Sequence, residues 1–140
     1  MDYSLLIILF AIIGVLFIVL YGLWQWSKKK KLVDYASNIT SRQEVFTPSE
    51  FFHMYSDLKK MKIKISELDA SGVYIIFNIS KQSYYVGQSI NVLKRVNNHF
   101  TGSGNGDVYA DYKYGSQFQI TIVKCEQSKL NAMERYFIER

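Results

Sequence analysis

At 140 residues, 49% apolar and with one proline, the chain has room for one compact domain and an accessory segment, which excludes two full domains. Its net charge of +5 is concentrated, because Lys28 to Lys31 supply four positive charges, whereas from Asp69 onward eight Lys/Arg stand against six acids and leave that half only mildly basic. The lone Cys125 excludes an intramolecular disulfide and a multi-cysteine zinc site, and reads as a small buried hydrophobe in a strand.

No charged residue occurs from Tyr3 to Ser27. Leu5 to Leu23 alone can cross roughly 30 Å of hydrocarbon at about 1.5 Å per residue, so a transmembrane helix is expected over residues 4–26 of an anchor segment, 1–27. A cleaved signal peptide would carry a basic leading segment and a shorter core. Here Asp2 is the only charge before the core, which closes with Tyr21, Trp24 and Trp26. Those aromatics fit an interfacial belt in the lipid bilayer. The lysines behind them put the C-terminal side in the cytoplasm and the N-terminus outside, as in a single-pass cell-membrane protein. The same lysines can hold anionic headgroups.

Residues 28–46 are polar and aperiodic, a basic juxtamembrane linker. An accessory helix and connector, 47–70, follows. Thr47, Pro48 and Glu50 form a capping-box start, and Phe51, Met54, Tyr55, Leu58 and Met61 make one apolar face opposite His53, Asp57 and Lys60. This helix is expected to dock on the domain that follows, 71–140, as a lid or a brace.

In that domain Val73 to Ile79 alternates as a strand, Ser80 to Gln82 turns, and Ser83 to Val86 returns, giving a hairpin that puts Tyr74 and Tyr85 on neighbouring strands. Ser89 is placed to cap a helix with the stripe Val92, Leu93, Val96 and Phe100, and with Arg95 and His99 side by side on its edge. The glycines from Gly102 to Gly106 read as a flexible loop, Gln117 to Lys124 as a third strand, and a last helix starts near Ser128. In it Leu130, Met133, Phe137 and Ile138 mark a buried stripe that contains Glu134. A carboxylate there needs either a salt bridge or a cation, and the sequence leaves both open.

Gly72-Val73-Tyr74 and Tyr85-Val86-Gly87, with Arg95 ten and His99 fourteen residues after Tyr85 and Glu134 in the later helix, resemble a GIY-YIG endonuclease domain. Each tripeptide has Val in place of the usual Ile. The resemblance implies an α+β fold, a small three-stranded antiparallel sheet flanked by helices and preceded here by the transmembrane helix. It further implies metal-dependent cleavage of phosphodiester bonds in nucleic acid, DNA ahead of RNA. Tyr74 would be the general base, its phenolate favoured by Arg95 or the metal or its ionisation assisted by His99; Tyr85 would orient water or phosphate, Arg95 would neutralise phosphate charge, and Glu134 would be the metal ligand for Mg²⁺ or Mn²⁺. Lys94 and Gly87 are the candidate substrate-binding positions, with a solvated helix lysine the plainer reading of Lys94. The chain stops six residues after Glu134, where many members of the family continue, so a truncated or minimal domain is expected. The alternative is a catalytically inactive GIY-YIG-fold protein that binds nucleic acid or another partner at the membrane. Oligomeric state is left open.

Overall fold

The computed structural model describes residues 3–40, 44–60, 64–65 and 69–140. The chain forms two compact units, 1–37 and 38–140. The first is built on helix α1 (Tyr3–Thr40), within which Leu6–Lys28 is long and apolar enough to cross a membrane, with mean hydropathy 3.1 and none of the span buried in protein. The Lys28 ammonium stands 3.4 Å from the Trp24 ring centroid, a cation–π pair one turn apart. The helix runs on through residues read above as linker. No glycine or proline occurs between Trp24 and Thr40 to stop it.

In the second unit, β1 (Glu44–Phe46) leads into α2 (Pro48–Lys60). The capping box forms as expected: the Thr47 N–H donates to Glu50 Oε2 at 2.8 Å, and the Glu50 N–H to Thr47 Oγ1 at 3.3 Å. Phe51 and Tyr55 of α2 are buried in the core while His53 is exposed, so this helix braces the domain; Met61 lies outside the described residues.

The sheet contains β2 (Gly72–Asn78), β3 (Ser83–Ser89) and β4 (Phe118–Lys124), all antiparallel, in the order β1-β4-β2-β3. The expected three strands are therefore four. Glu44 to Phe46 pair with Ile122 to Ile120 and cover what would otherwise be an open edge of β4. Three residues are too few to show a strand period in sequence.

Two helices pack beside the core strands, α3 (Val92–Thr101) and α4 (Gly106–Lys113), and α5 (Leu130–Ile138) follows a single 3₁₀ turn, Gln127–Lys129. Alternation divides the sheet. Tyr74, Ile76, Phe118, Ile120 and Ile122 share one buried cluster with Phe51 and Tyr55 of α2, Val92, Val96 and Phe100 of α3, and Val108 of α4. On the other face, Val73 and Val123 are buried at the end contacted by α5 and its buried Met133. Cys125, just past β4, is buried, and burial raises its thiol pKa, as expected of an inert packing residue. Ile138, expected in the buried stripe of α5, is exposed.

Candidate active site on the β3 edge

The start of α3 fixes the site. Ser89 does not cap the helix itself; its Oγ accepts from the Asn91 N–H at 3.0 Å, one residue before the first turn. The cap comes instead from Asp69, whose two carboxylate oxygens accept the N–H groups of Leu93 at 2.8 Å and Lys94 at 3.1 Å. The carboxylate also suits the positive end of the helix. Because Asp69 lies three residues before β2, it ties α3 to the strand that carries Tyr74.

Arg95 and His99, neighbours on the helix surface, have different environments. His99 is fully buried, whereas Arg95 is exposed. The His99 Nε2 lies 2.8 Å from the Tyr74 hydroxyl, and the His99 ring also packs edge-on to Tyr85, centroid to centroid 5.0 Å. The Tyr74 and Tyr85 rings stack at 6.2 Å, and both hydroxyls interact with the Arg95 guanidinium. Tyr74, Tyr85, Arg95 and His99 therefore form one connected group.

Two glycines make that group possible. Gly87 is the cross-strand partner of Tyr74, and a Cβ on it would stand 2.3 Å from the Tyr74 Oη, so the tyrosine can cross toward the β3 edge only because position 87 has no side chain. Gly104 passes equally close to His99: a Cβ there would lie 2.7 Å from Nδ1 and 2.8 Å from the His99 backbone.

Burial pushes the Tyr74 pKa up and the Arg95 hydrogen bond pulls it down without offsetting the burial; Tyr85 adds to the rise. His99 is lowered to about 4, chiefly by burial and further by the Arg95 charge, so it is neutral at physiological pH.

Glu134 stands apart from this group. The strand register alternates, so Tyr74 and Gly87 project to the α3 face while Val73 and Gln88 project to the α5 face. Gln88 Nε2 donates to Glu134 Oε2 at 2.8 Å and to Asn131 Oδ1 at 2.6 Å, which places Glu134 behind β3, half-buried. Among the described residues Glu134 makes no ion pair. Glu134 Oε2 and Asn131 Oδ1 both accept from the Gln88 amide, so Glu134, the one carboxylate here, would have to exchange that contact to hold a hard cation such as Mg²⁺ or Mn²⁺, which would keep most of its waters. No group of three His, Cys, Asp or Glu side chains that could form a closed cage occurs among the described residues. Lys94 is exposed beside Arg95.

A sequence model of the GIY-YIG catalytic domain matches residues 70–140, half the chain. This protein belongs to the GIY-YIG family, whose members are endonucleases acting on nucleic acid. No curated protein and no solved structure gives a match.

Four residues that shape the site escaped the sequence reading: Asp69, Gln88, Gly104 and Asn105. Asn105 had a local signal. Its Oδ1 accepts from the N–H groups of Asp107 and Val108, an N-cap for α4, but the surrounding glycines masked the helix. Asp69 and Gln88 act across 24 or more positions of sequence and carry no local signal.

Proposed function

We propose that this protein is a membrane-anchored, metal-dependent endonuclease that hydrolyses phosphodiester bonds of nucleic acid, DNA ahead of RNA, at the cytoplasmic face. The observation that carries the reading is the convergence of Arg95 and His99 on one hydroxyl, that of Tyr74. Anchoring rests on residues 4–26, and the cytoplasmic orientation on Lys28 to Lys31 behind the aromatic belt.

The catalytic residues are Tyr74, Tyr85, Arg95, His99 and Glu134. Tyr74, as the phenolate, takes a proton from water; the resulting hydroxide attacks phosphorus, and the bond from phosphorus to the leaving oxygen breaks. Hydrogen bonds from Arg95 favour that phenolate. The exposed guanidinium of Arg95 is suited to neutralise charge on the phosphate oxygens through paired N–H groups. Tyr85 orients water or phosphate, and Gly87 and Lys94 border the substrate. Glu134 would hold Mg²⁺ or Mn²⁺, which when bound supplies Lewis-acid stabilisation of phosphoryl charge. β3, which carries Tyr85 on one face and Gln88, the partner of Glu134, on the other, is an edge strand of the sheet.

One observation favours a second reading. Tyr74 is 1% exposed and its pKa is raised, whereas activation of water calls for an accessible, readily ionised base. On that reading the domain holds nucleic acid without cutting it. The full chain in detergent micelles, incubated with Mg²⁺ and single-stranded, duplex and branched substrates, separates the two. Cleavage that is lost in Glu134→Ala and Arg95→Ala is expected for the nuclease; a folded wild-type chain that binds but never cuts establishes the second reading.

A further inference from the structure

The Asn105 backbone N–H donates to His99 Nδ1 at 2.8 Å. A backbone N–H can only donate, so Nδ1 must be an unprotonated acceptor, and a neutral imidazole then carries its proton on Nε2. Turning the ring over would set a C–H against the same N–H, so the ring orientation is fixed as well. Nε2 is the atom 2.8 Å from the Tyr74 Oη, which must therefore accept.

We propose that Asn105 is a positioning residue that holds His99 as the neutral Nε2–H tautomer, so that His99 donates a hydrogen bond to the Tyr74 oxygen and cannot receive its proton. The inference rests on the nuclease reading for its catalytic meaning, and it excludes a relay in which Tyr74 passes a proton to His99. During turnover the proton removed from water stays on Tyr74 until solvent takes it.

The arrangement also solves a conflict over Arg95. That side chain serves both the Tyr74 oxygen and, on the proposed mechanism, the substrate phosphate. When the guanidinium turns to phosphate, the buried His99 remains as a fixed donor to the phenolate. The close passage of Gly104 over the His99 ring brings the next residue's N–H into line with Nδ1. Among the described residues, the titratable and charged groups acting on Tyr74 and His99 are Tyr85 from β3 and Arg95 from α3.

The chain has two histidines, and His53 is exposed on α2. A His53→Gln full-length chain in detergent micelles, labelled with ¹⁵N-histidine, leaves His99 as the single signal. The expected spectrum at neutral pH shows Nδ1 unprotonated and Nε2 protonated; the reverse overturns the proposal. In the same background, Asn105→Pro is compared with Asn105→Ala. Both lose the side-chain cap of α4, but only proline removes the N–H, and the φ of −75° at this position suits proline. Asn105→Ala should keep the tautomer. Asn105→Pro should mix the two tautomers, move the Tyr74 titration upward, and lower cleavage at neutral pH by about tenfold relative to Asn105→Ala. A tautomer unchanged in Asn105→Pro overturns the proposal, and if that variant does not fold, the spectrum of the parent chain still decides. The expected tautomer in a chain that never cleaves refutes the nuclease reading alone.

Discussion

The two faces of the sheet carry the same kinds of residue under different cover. On the α3 face, Tyr74, Ile76, Ile120 and Ile122 are closed over by α2, α3 and α4, and a histidine is buried with both ring nitrogens hydrogen-bonded. On the other face α5 covers the Val73 and Val123 end, while Tyr84 is 68% exposed and stacks on Phe77 at 4.3 Å. Tyr74 on the first face is buried and held against His99 Nε2 at 2.8 Å, and burial raises its pKa. Tyr84 on the second stands open to solvent. Chemistry requires the first condition, because a reacting oxygen must be held in place by neighbours that are themselves fixed.

The largest test of this contrast is pH. His99 is lowered from its usual 6.5 to about 4, so in the interval between those values the unfolded chain binds a proton that the folded chain refuses. The stability associated with neutral His99 is complete above about pH 6.5 and is lost as pH falls to about 4. At about 1.4 kcal/mol per pH unit this amounts to about 3 kcal/mol. Chemical denaturation of the full chain at several pH values, with and without His99→Gln, measures it. A wild-type stability that is flat over this interval would place His99 in water.

Next comes Gly87→Ala. The added methyl collides with the Tyr74 Oη, and a displacement of about 1 Å at a reacting group costs on the order of 100-fold in rate. Cleavage kinetics alongside the near-ultraviolet tyrosine signal would show it; full activity in this variant means that Tyr74 does not act over position 87.

A smaller effect is expected from Asp69→Ala, which removes the carboxylate that caps α3 and should cost about 1 kcal/mol. Asp69→Asn should recover part of that loss if hydrogen bonding matters more than charge. Smallest is Tyr84→Ser on the open face, where the loss of one exposed stack should stay near 0.5 kcal/mol and leave cleavage unchanged. A large loss there would mean that this face is covered in the working protein.

A tyrosine base also sets the direction of the activity profile. Burial raises the Tyr74 pKa, so cleavage should climb with pH on the alkaline side of neutrality, and Tyr74→Phe should abolish the climb. A rate independent of pH from 7 to 10 would remove Tyr74 from the role of base.

Local rules made much of this legible. The hairpin of β2 and β3 follows from alternation around a polar turn, the start of α2 from Thr47 and Glu50, and the apolar span from its length without charge. Arg95 and His99 were legible as a pair through helical spacing, but spacing is blind to depth, and one proved exposed while the other is fully buried. Glu134 was legible as a carboxylate that needs a partner; that the partner is the neutral Gln88, on the far face of β3, was not. Strand β1 and helix α4 were hidden because one is three residues long and the other begins among glycines.

By itself the sequence determined the membrane-length helix, the hairpin with Tyr74 and Tyr85 on neighbouring strands, the capped helix and the one-turn spacing of Arg95 and His99, since each depends on neighbours within about a turn or a strand pair. Only the tertiary structure decided how they work together: Asp69 capping a helix 24 residues away, Tyr74 crossing over Gly87, and Asn105 turning His99 into a donor. Those contacts arise from packing elements that are distant in the chain, and neither a hydrogen bond's direction nor a missing Cβ leaves a periodic trace in the residues that use it.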